Sequence, residues 1–402
     1  MKKTTISIGR PPLLRRTNAL AILKLLREEG ACSRADLVRA SGMSAPTVTN
    51  VVADLLAAGL VQPLGEGESS GGRPPDLIRF KAERGCLLGV RITASFVSFI
   101  LADLSGTELE TSQVWLAGRK TNPEAICSLI DEETRRLLKV RAMKREQLMA
   151  LVVGVPAIAN VDDGVVLAVS TLDNWRSVPL GAMLRRCVEC MVVIENDTNL
   201  AALGERLRGA ARGEASFVAL DIGTNVSAGI VLDGRLYHGA QWSAGEIGYL
   251  RLPHVTRRQP SLNEFGELEA ILSTSGIRKS WQAAAPGLGS TPVPGIERVD
   301  VTAILDMAQR GEPAARKIVR QRAAIVADVI VNLALILNPG LVLLGGEVGR
   351  HPALLSFVRR ELKQCEFAVP RIATAMLGEA AVLNGAIAVA LEAIPSILLP
   401  LS

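Results

Sequence analysis

Apolar residues recur at helical spacing near the start of the chain. Leu20, Leu23 and Leu26 share one stripe and Gly30 closes it, so a helix is predicted over residues 18–29. The same period returns at Val48, Val51, Val52, Leu55 and Leu56, which predicts a second buried face. Between them, Ser33 can cap a short helix, with Asp36 three positions on as a short-armed capping box. Ser41-Gly42 supplies a turn. Ser44 can cap the helix that carries the second face, and Pro46 is tolerated in its first turn, where a missing N–H costs little. Two short apolar runs follow, Leu60-Val61 and Leu77-Ile78, separated by GEGESSGGRPP. They predict two strands joined by a flexible tip. Three helices and a β-wing in this order predict a winged helix-turn-helix domain over residues 1–80.

That domain points to DNA. Thr47, Thr49 and Asn50 lie off the buried face of the second helix of the pair, near an N-terminus opened by Ser44. Small hydroxyl and amide side chains there suit a major groove. Arg34 opens the first helix of the pair, and Arg73 stands at the base of the wing, where a guanidinium can enter a minor groove or clamp a phosphate. Residues 1–80 hold eleven Lys and Arg against seven Asp and Glu. Most of the chain's net charge of +5 therefore sits in its first fifth. A small helical domain that binds a protein is the blander alternative for this stretch.

The pattern changes after Phe80. Residues 86–105 read as strand, turn, strand, and residues 217–234 repeat that plan, each followed by a further strand-like stretch. Helical patterns at 123–140, 198–208, 301–310 and 313–336 would cover the sheets. Two α/β lobes are predicted, the first over 81–197 and the second over 198–402, with a ligand cleft between them. The C-terminal helix can pack back on the first lobe. At 402 residues the chain is long enough for two or three domains. Hydrophobic residues make up 49% but aromatics only 3%, which fits buried parallel strands of Val, Leu, Ile and Ala. The longest apolar candidate, residues 323–337, is interrupted by Asp328 and Asn332 and reads as a packed helix, so no membrane partner is expected. With no signal-like apolar core at the N-terminus, a cytoplasmic location is expected. Six cysteines are scattered, and only Cys187 and Cys190 form a CxxC. One such pair without nearby histidines gives no metal site.

Residues 151–157 (LVVGVPA), 194–205 (IENDTNLAALGE), 244–249 (AGEIGY), 338–346 (NPGLVLLGG) and 377–386 (LGEAAVLNGA) resemble the ROK family of repressors, open reading frames and sugar kinases. SRADL and SGGRPP resemble its repressor branch. The resemblance runs from about residue 12 to the C-terminus. It implies an actin-like (ribonuclease H-like) body, a sugar cleft between the lobes, and a homodimer or tetramer. By the same resemblance Asp197 matches the catalytic base of the kinases, and Asn196, Glu246 and Glu269 match sugar contacts. Tyr249 stands where the family has a sugar-contacting histidine.

The departures matter as much. The first phosphate loop of the kinases, Asp-x-Gly-Gly-Thr, corresponds to Arg91-Ile92-Thr93-Ala94-Ser95, so a cation replaces the carboxylate and both glycines are gone. The second loop corresponds to residues 223–229 and lacks three of its glycines. Asp221-Ile222-Gly223-Thr224 imitates a first loop but falls in the second repeat, and reads as coincidence. The family's zinc motif is missing: residues 250–272 contain no cysteine, and His254 reads as a loop residue. The expectation is a non-enzymatic regulator without cofactors. It would bind double-stranded operator DNA and answer to a sugar or sugar derivative in a degenerate kinase cleft. The alternatives are a sugar kinase with atypical phosphate loops, or a regulator whose effector is another protein.

Overall fold

The N-terminal periodicity folds as three helices closed by a small sheet. The structure, a computed structural model, describes residues 11–66, 76–169, 175–253, 255, 266–284, 300–367 and 369–399. Helix α1 (Pro11–Glu28) is followed by β1 (Cys32–Ser33), α2 (Arg34–Ser41) and α3 (Ala45–Ala57). Strands β2 (Val61–Glu66) and β3 (Asp76–Phe80) then pair antiparallel, and β1 adds to the other side of β3. Helix α1 begins seven residues before the predicted start at residue 18. Pro11 and Pro12 suit a first turn, where no N–H is needed. The wing tip, residues 67–75, lies outside the described residues and takes Arg73 with it.

The body contains the same sheet twice. In the first lobe β4 (Cys86–Ile92), β5 (Phe96–Asp103) and β6 (Glu108–Trp115) run antiparallel, while β7 (Leu148–Val155) and, after the hairpin β8 (Ala157–Asn160) and β9 (Val165–Val169), β10 (Met191–Asn196) extend β4 in parallel. In the second lobe β11 (Phe217–Ile222), β12 (Val226–Leu232) and β13 (Arg235–Leu236) repeat the antiparallel part. Strands β14 (Leu341–Gly345) and β15 (Arg371–Thr374) repeat the parallel part. The strand orders, β6-β5-β4-β7-β10 and β13-β12-β11-β14-β15, are the same topology. The duplication read from residues 86–105 and 217–234 is thus a duplication of whole sheets.

Each sheet has helices on both faces. Helices α4 (Pro123–Val140) and α5 (Leu180–Arg185) cover one face of the first sheet through Ile126, Ile130, Leu180 and Leu184 against Leu88, Val90 and Val153. In the second lobe, α6 (Asp197–Arg208) covers one face through Ala202 and Leu203. The other face meets α7 (Glu267–Leu272), α8 (Thr274–Ala284), α9 (Val301–Gln309), α10 (Pro313–Leu337) and α12 (Pro352–Leu362), with the short α11 (Gly346–Gly349) at the end of β14. The last helix, α13 (Ala381–Leu398), lies on the open face of the first sheet and crosses α6.

The structure corrects one expectation about the apolar segments. The segment most apolar over membrane-spanning length is 378–398, not 323–337. Helix α13 is apolar nearly all round because it is enclosed nearly all round. Ala386, Ile387, Ala390, Leu391 and Ile394 share one core with Leu87 and Ile100 of the first sheet, Leu200 of α6, and Ile22, Leu23 and Leu26 of α1. Two arginines of α1 fasten the same junction: Arg27 donates to the Leu391 carbonyl at 3.1 Å and Arg16 to that of Leu399 at 2.7 Å.

Helices α6 and α13 meet backbone to backbone at Gly204 and Gly385. A Cβ on Gly385 would overlap the Leu200 carbonyl oxygen, and one on Gly204 that of Ala381. Gly385→Ala should therefore force the helices apart and lower stability by about 1–3 kcal/mol, measured by denaturant unfolding. An unchanged midpoint would mean that the crossing is loose.

Candidate functional site

Two sites emerge, one on the winged helix and one between the lobes. In the first, local hydrogen bonds set the geometry. Ser33 Oγ accepts from the Asp36 N–H while the Asp36 carboxylate accepts from the Ser33 N–H at 2.9 Å, the reciprocal capping box. Gly42, at φ 69°, ends α2 in the left-handed conformation. Ser44 caps α3, with its hydroxyl 2.8 Å from that of Thr47. Val48, Val51, Val52 and Leu55 are buried, and this holds Ser44, Thr49 and Asn50 exposed on the opposite side, with Thr47 partly so. Arg34 is half-buried at the start of α2. Helix α3 carries no basic residue, so its outer surface can read base edges with hydroxyl and amide groups while phosphate contacts come from elsewhere.

The second site forms where β10 runs into α6. Asn196 caps the helix: its Oδ1 accepts from the Asn199 N–H at 3.0 Å and its Nδ2 donates to the Ala157 carbonyl at 3.0 Å. Asp197 opens the first turn of α6. Facing them across the cleft are Val226 and Ser227 of β12, Glu246, Tyr249 and Glu269, so the five residues expected to hold a ligand line one small pocket. Glu269 is buried and already accepts from the N–H groups of Val226 (3.2 Å) and Gly266 (3.3 Å), so it is a structural brace as well as a pocket wall. Asn225 lines the same pocket with a buried Oδ1 that has no partner among the described residues. Burial, aided by Glu269 and Asp197, pushes Glu246 up to about 7, and burial pushes Tyr249 up to about 12. These are acceptor-rich walls suited to a polyhydroxylated ligand.

Behind this pocket, sharing Asp197 and Asn225 with it, lies a cavity of about 400 Å³ between the two sheets. Arg91 enters from β4 and Asp221 from β11. They occupy equivalent places in the two repeats: Arg91 stands beside Ser98 and Gly154, Asp221 beside Ser227 and Gly345. The reading of Asp221 as coincidence is therefore corrected, because the internal symmetry places it in the cleft. The Arg91 Nη1 donates to Glu379 at 2.5 Å, just ahead of α13. Burial raises Asp197 to about 6 and Asp221 to about 7, and the Arg91 guanidinium opposes both shifts. At the β4–β5 turn, Thr93 Oγ1 accepts from the N–H groups of Ser95 (3.2 Å) and Phe96 (3.0 Å), so these donors are used within the turn.

Several residues of the site carry no mark in the sequence pattern. Glu195, buried at the end of β10, accepts from the Asn196 N–H at 2.7 Å and Asn199 Nδ2 at 3.0 Å, and lies 2.7 Å from His238 Nε2. Aligning the two repeats strand by strand would have shown Arg91 and Asp221 to be equivalent positions. No short-range signal marks Glu195, His238 or Asn225. His254 and residues 170–174 lie outside the described residues. Among the described residues, no three His, Cys, Asp or Glu side chains gather as metal ligands.

Comparisons place the chain among known proteins. Residues 87–393 match the ROK family and residues 15–62 a winged helix-turn-helix DNA-binding family. The chain is 24% identical to a xylose repressor of Caldicellulosiruptor bescii over 96% of its own length and 98% of the relative's. It is 28% identical to the DNA-binding transcriptional repressor Mlc of Escherichia coli, over 85% and 84%. The crystal structure of a ROK family transcriptional regulator homologous to Mlc superposes with a TM-score of 0.78 at 22% identity, covering 96% of this chain and 98% of that one.

The raised carboxyls give a pH prediction. Asp221 holds its proton more tightly in the folded chain than in the unfolded one. Its contribution to stability is therefore full below about pH 4 and is lost as pH rises toward 7. Asp221→Asn should stabilise the chain at pH 8 by about 1 kcal/mol or more, and the gain should vanish toward pH 4. Thermal unfolding across that range checks it; a gain independent of pH would contradict the shift.

Proposed function

Because the chain belongs to the ROK family and joins a winged helix-turn-helix to it, we propose that it is a sequence-specific DNA-binding transcriptional regulator. On this reading it represses carbohydrate-related genes and answers to a sugar or sugar derivative bound between the lobes. The observation that carries the proposal is the shared core. Residues of α1, in the DNA-binding domain, pack in one cluster with α13, the first sheet and Leu200 of α6, the helix whose first residue is Asp197 in the cleft. A ligand that closes the lobes would shift α6 and α13, and with them α1 and the recognition helix. The names of the two relatives, a xylose repressor and a transcriptional repressor, support the same direction. In a two-fold dimer, paired recognition helices would read a pseudo-palindrome. Thr47, Thr49 and Asn50 would contact bases, with Arg34, Ser44 and Arg73 on the backbone or minor groove.

We read the cleft as a sensor and not as a sugar kinase. Phosphoryl transfer needs a metal bridge and free backbone donors around the phosphates. Arg91 brings a positive charge to that end of the cleft, Thr93 occupies the N–H groups of the first turn, and Glu269 takes the Val226 N–H in the second. Asn196, Asp197, Glu246, Tyr249 and Glu269 would hold the sugar.

Two measurements test this reading. On the operator, Asn50→Ala or Thr47→Ala should lower base discrimination by about 1–3 kcal/mol, while Arg73→Ala should weaken all sequences alike and reduce the salt slope by about 1. Unchanged discrimination would remove α3 from the interface. Across a panel of sugars, amino sugars and sugar phosphates, a ligand at ~100 times its Kd should add about 2.7 kcal/mol of stability, and Asp197→Ala should abolish the gain. Sugar-dependent ADP release that Asp197→Ala removes would replace the sensor with a kinase.

A further inference from the structure

The pocket walls come from different lobes, so something must hold them in register. Asn196 ends β10 of the first sheet, and Asp197 follows it directly as the first residue of α6. Glu246 and Tyr249 follow a loop that leaves β13 of the second sheet, and His238 stands at the start of that loop. The loop folds on itself where the His238 carbonyl accepts from the Ala244 N–H at 3.1 Å, and it is tied to β12 where the Gly245 carbonyl accepts from the Ala228 N–H at 2.8 Å. The side chain of His238 reaches instead to the first lobe, where Nε2 meets Glu195 Oε2 at 2.7 Å. Glu195 is 3% exposed, and its other oxygen is bound to the Asn196 N–H and the Asn199 amide. One carboxylate therefore orients the Asn196–Asp197 wall with one oxygen and the opposite loop with the other.

We propose that His238 is a positioning residue, a latch between the lobes that sets the distance between the Asn196–Asp197 wall and the Glu246–Tyr249 wall and so sets effector affinity. The effector half of this statement rests on the cleft being a sugar sensor; the latch itself does not. Among the described residues, the charged groups that face His238 are Glu195 from β10 and Asp162 from the turn between β8 and β9, both acids of the first lobe. They hold its imidazolium above the ordinary range, the hydrogen bond to Glu195 contributing most. The charge assistance is present at lower pH and is lost as pH rises through the raised value, leaving a weaker bond from a neutral imidazole N–H, so the latch loosens toward alkaline pH.

Hydrogen–deuterium exchange of the whole chain tests the latch without any ligand. After correction for intrinsic rates, amides of residues 237–249 should lose protection as pH rises from about 5.5 to about 8.5, the span in which a raised histidine gives up its proton. In His238→Gln they should exchange about tenfold faster at the acid end, with little trend. In His238→Arg, which keeps a donor and a permanent charge, protection should persist across the range. Exchange in His238→Gln that matches the wild type at every pH overturns the proposal, as does an arginine variant as unprotected as the glutamine one. Titration with the stabilising sugar then reads the second half: His238→Gln should weaken it about tenfold and His238→Arg should restore it. A latch profile with no sugar bound by the wild type would sink the sensor reading and leave the latch; sugar binding with no latch profile would do the reverse.

Discussion

The crossing of α6 and α13 at Gly204 and Gly385 is the constraint on which the rest of the arrangement depends. Because neither position carries a side chain, the two backbones touch, and each helix can lie against its own sheet while packing on the other. Helix α6 starts at the ligand pocket. Helix α13 starts beside Glu379 at the back of the cleft and ends under the arginines of α1. A close-packed contact of this kind transmits displacement, since it has no slack to absorb it. The winged helix is thus held to the same core as the cleft and not tethered by a loose linker.

The cleft itself is a place of uncompensated charge. Asp197, Asp221, Glu246 and Glu269 all sit above their ordinary range because burial removes water from them; Arg91 offsets part of that at Asp197 and Asp221 only. An open, acceptor-rich cleft is costly to close empty. On the proposed reading a polyhydroxylated ligand would supply the missing donors, and closure and binding would become one equilibrium. Stability given up at these carboxyls is the ordinary condition of a binding site.

Much of this was legible in the sequence where the cause is local. Ser33, Asp36, Gly42 and Ser44 set the ends of α2 and α3 through bonds spanning three or four residues, and those ends lie where the residues predict. The two lobes were legible because each repeat keeps its apolar strands. What was not legible depends on distant partners. Helix α13 looks like any apolar stretch until α1, α6 and the first sheet are seen around it. Asp221 gains meaning only from the internal symmetry that sets it opposite Arg91, and His238 only from a loop folding 43 positions away from Glu195. Asn196 also caps α6 by accepting from the Asn199 N–H, so it serves the fold as well as the pocket wall.

The central claim is that pocket and recognition helix share one equilibrium, and reciprocity tests it most directly. A sugar found to stabilise the chain should be titrated by calorimetry into the free protein and into the protein saturated with operator DNA. If the two sites are coupled through α6 and α13, operator must weaken sugar binding by the same factor by which sugar weakens operator binding, on the order of tenfold. Equal sugar affinity with and without operator would contradict the coupling and leave the cleft and the DNA-binding domain as neighbours without communication.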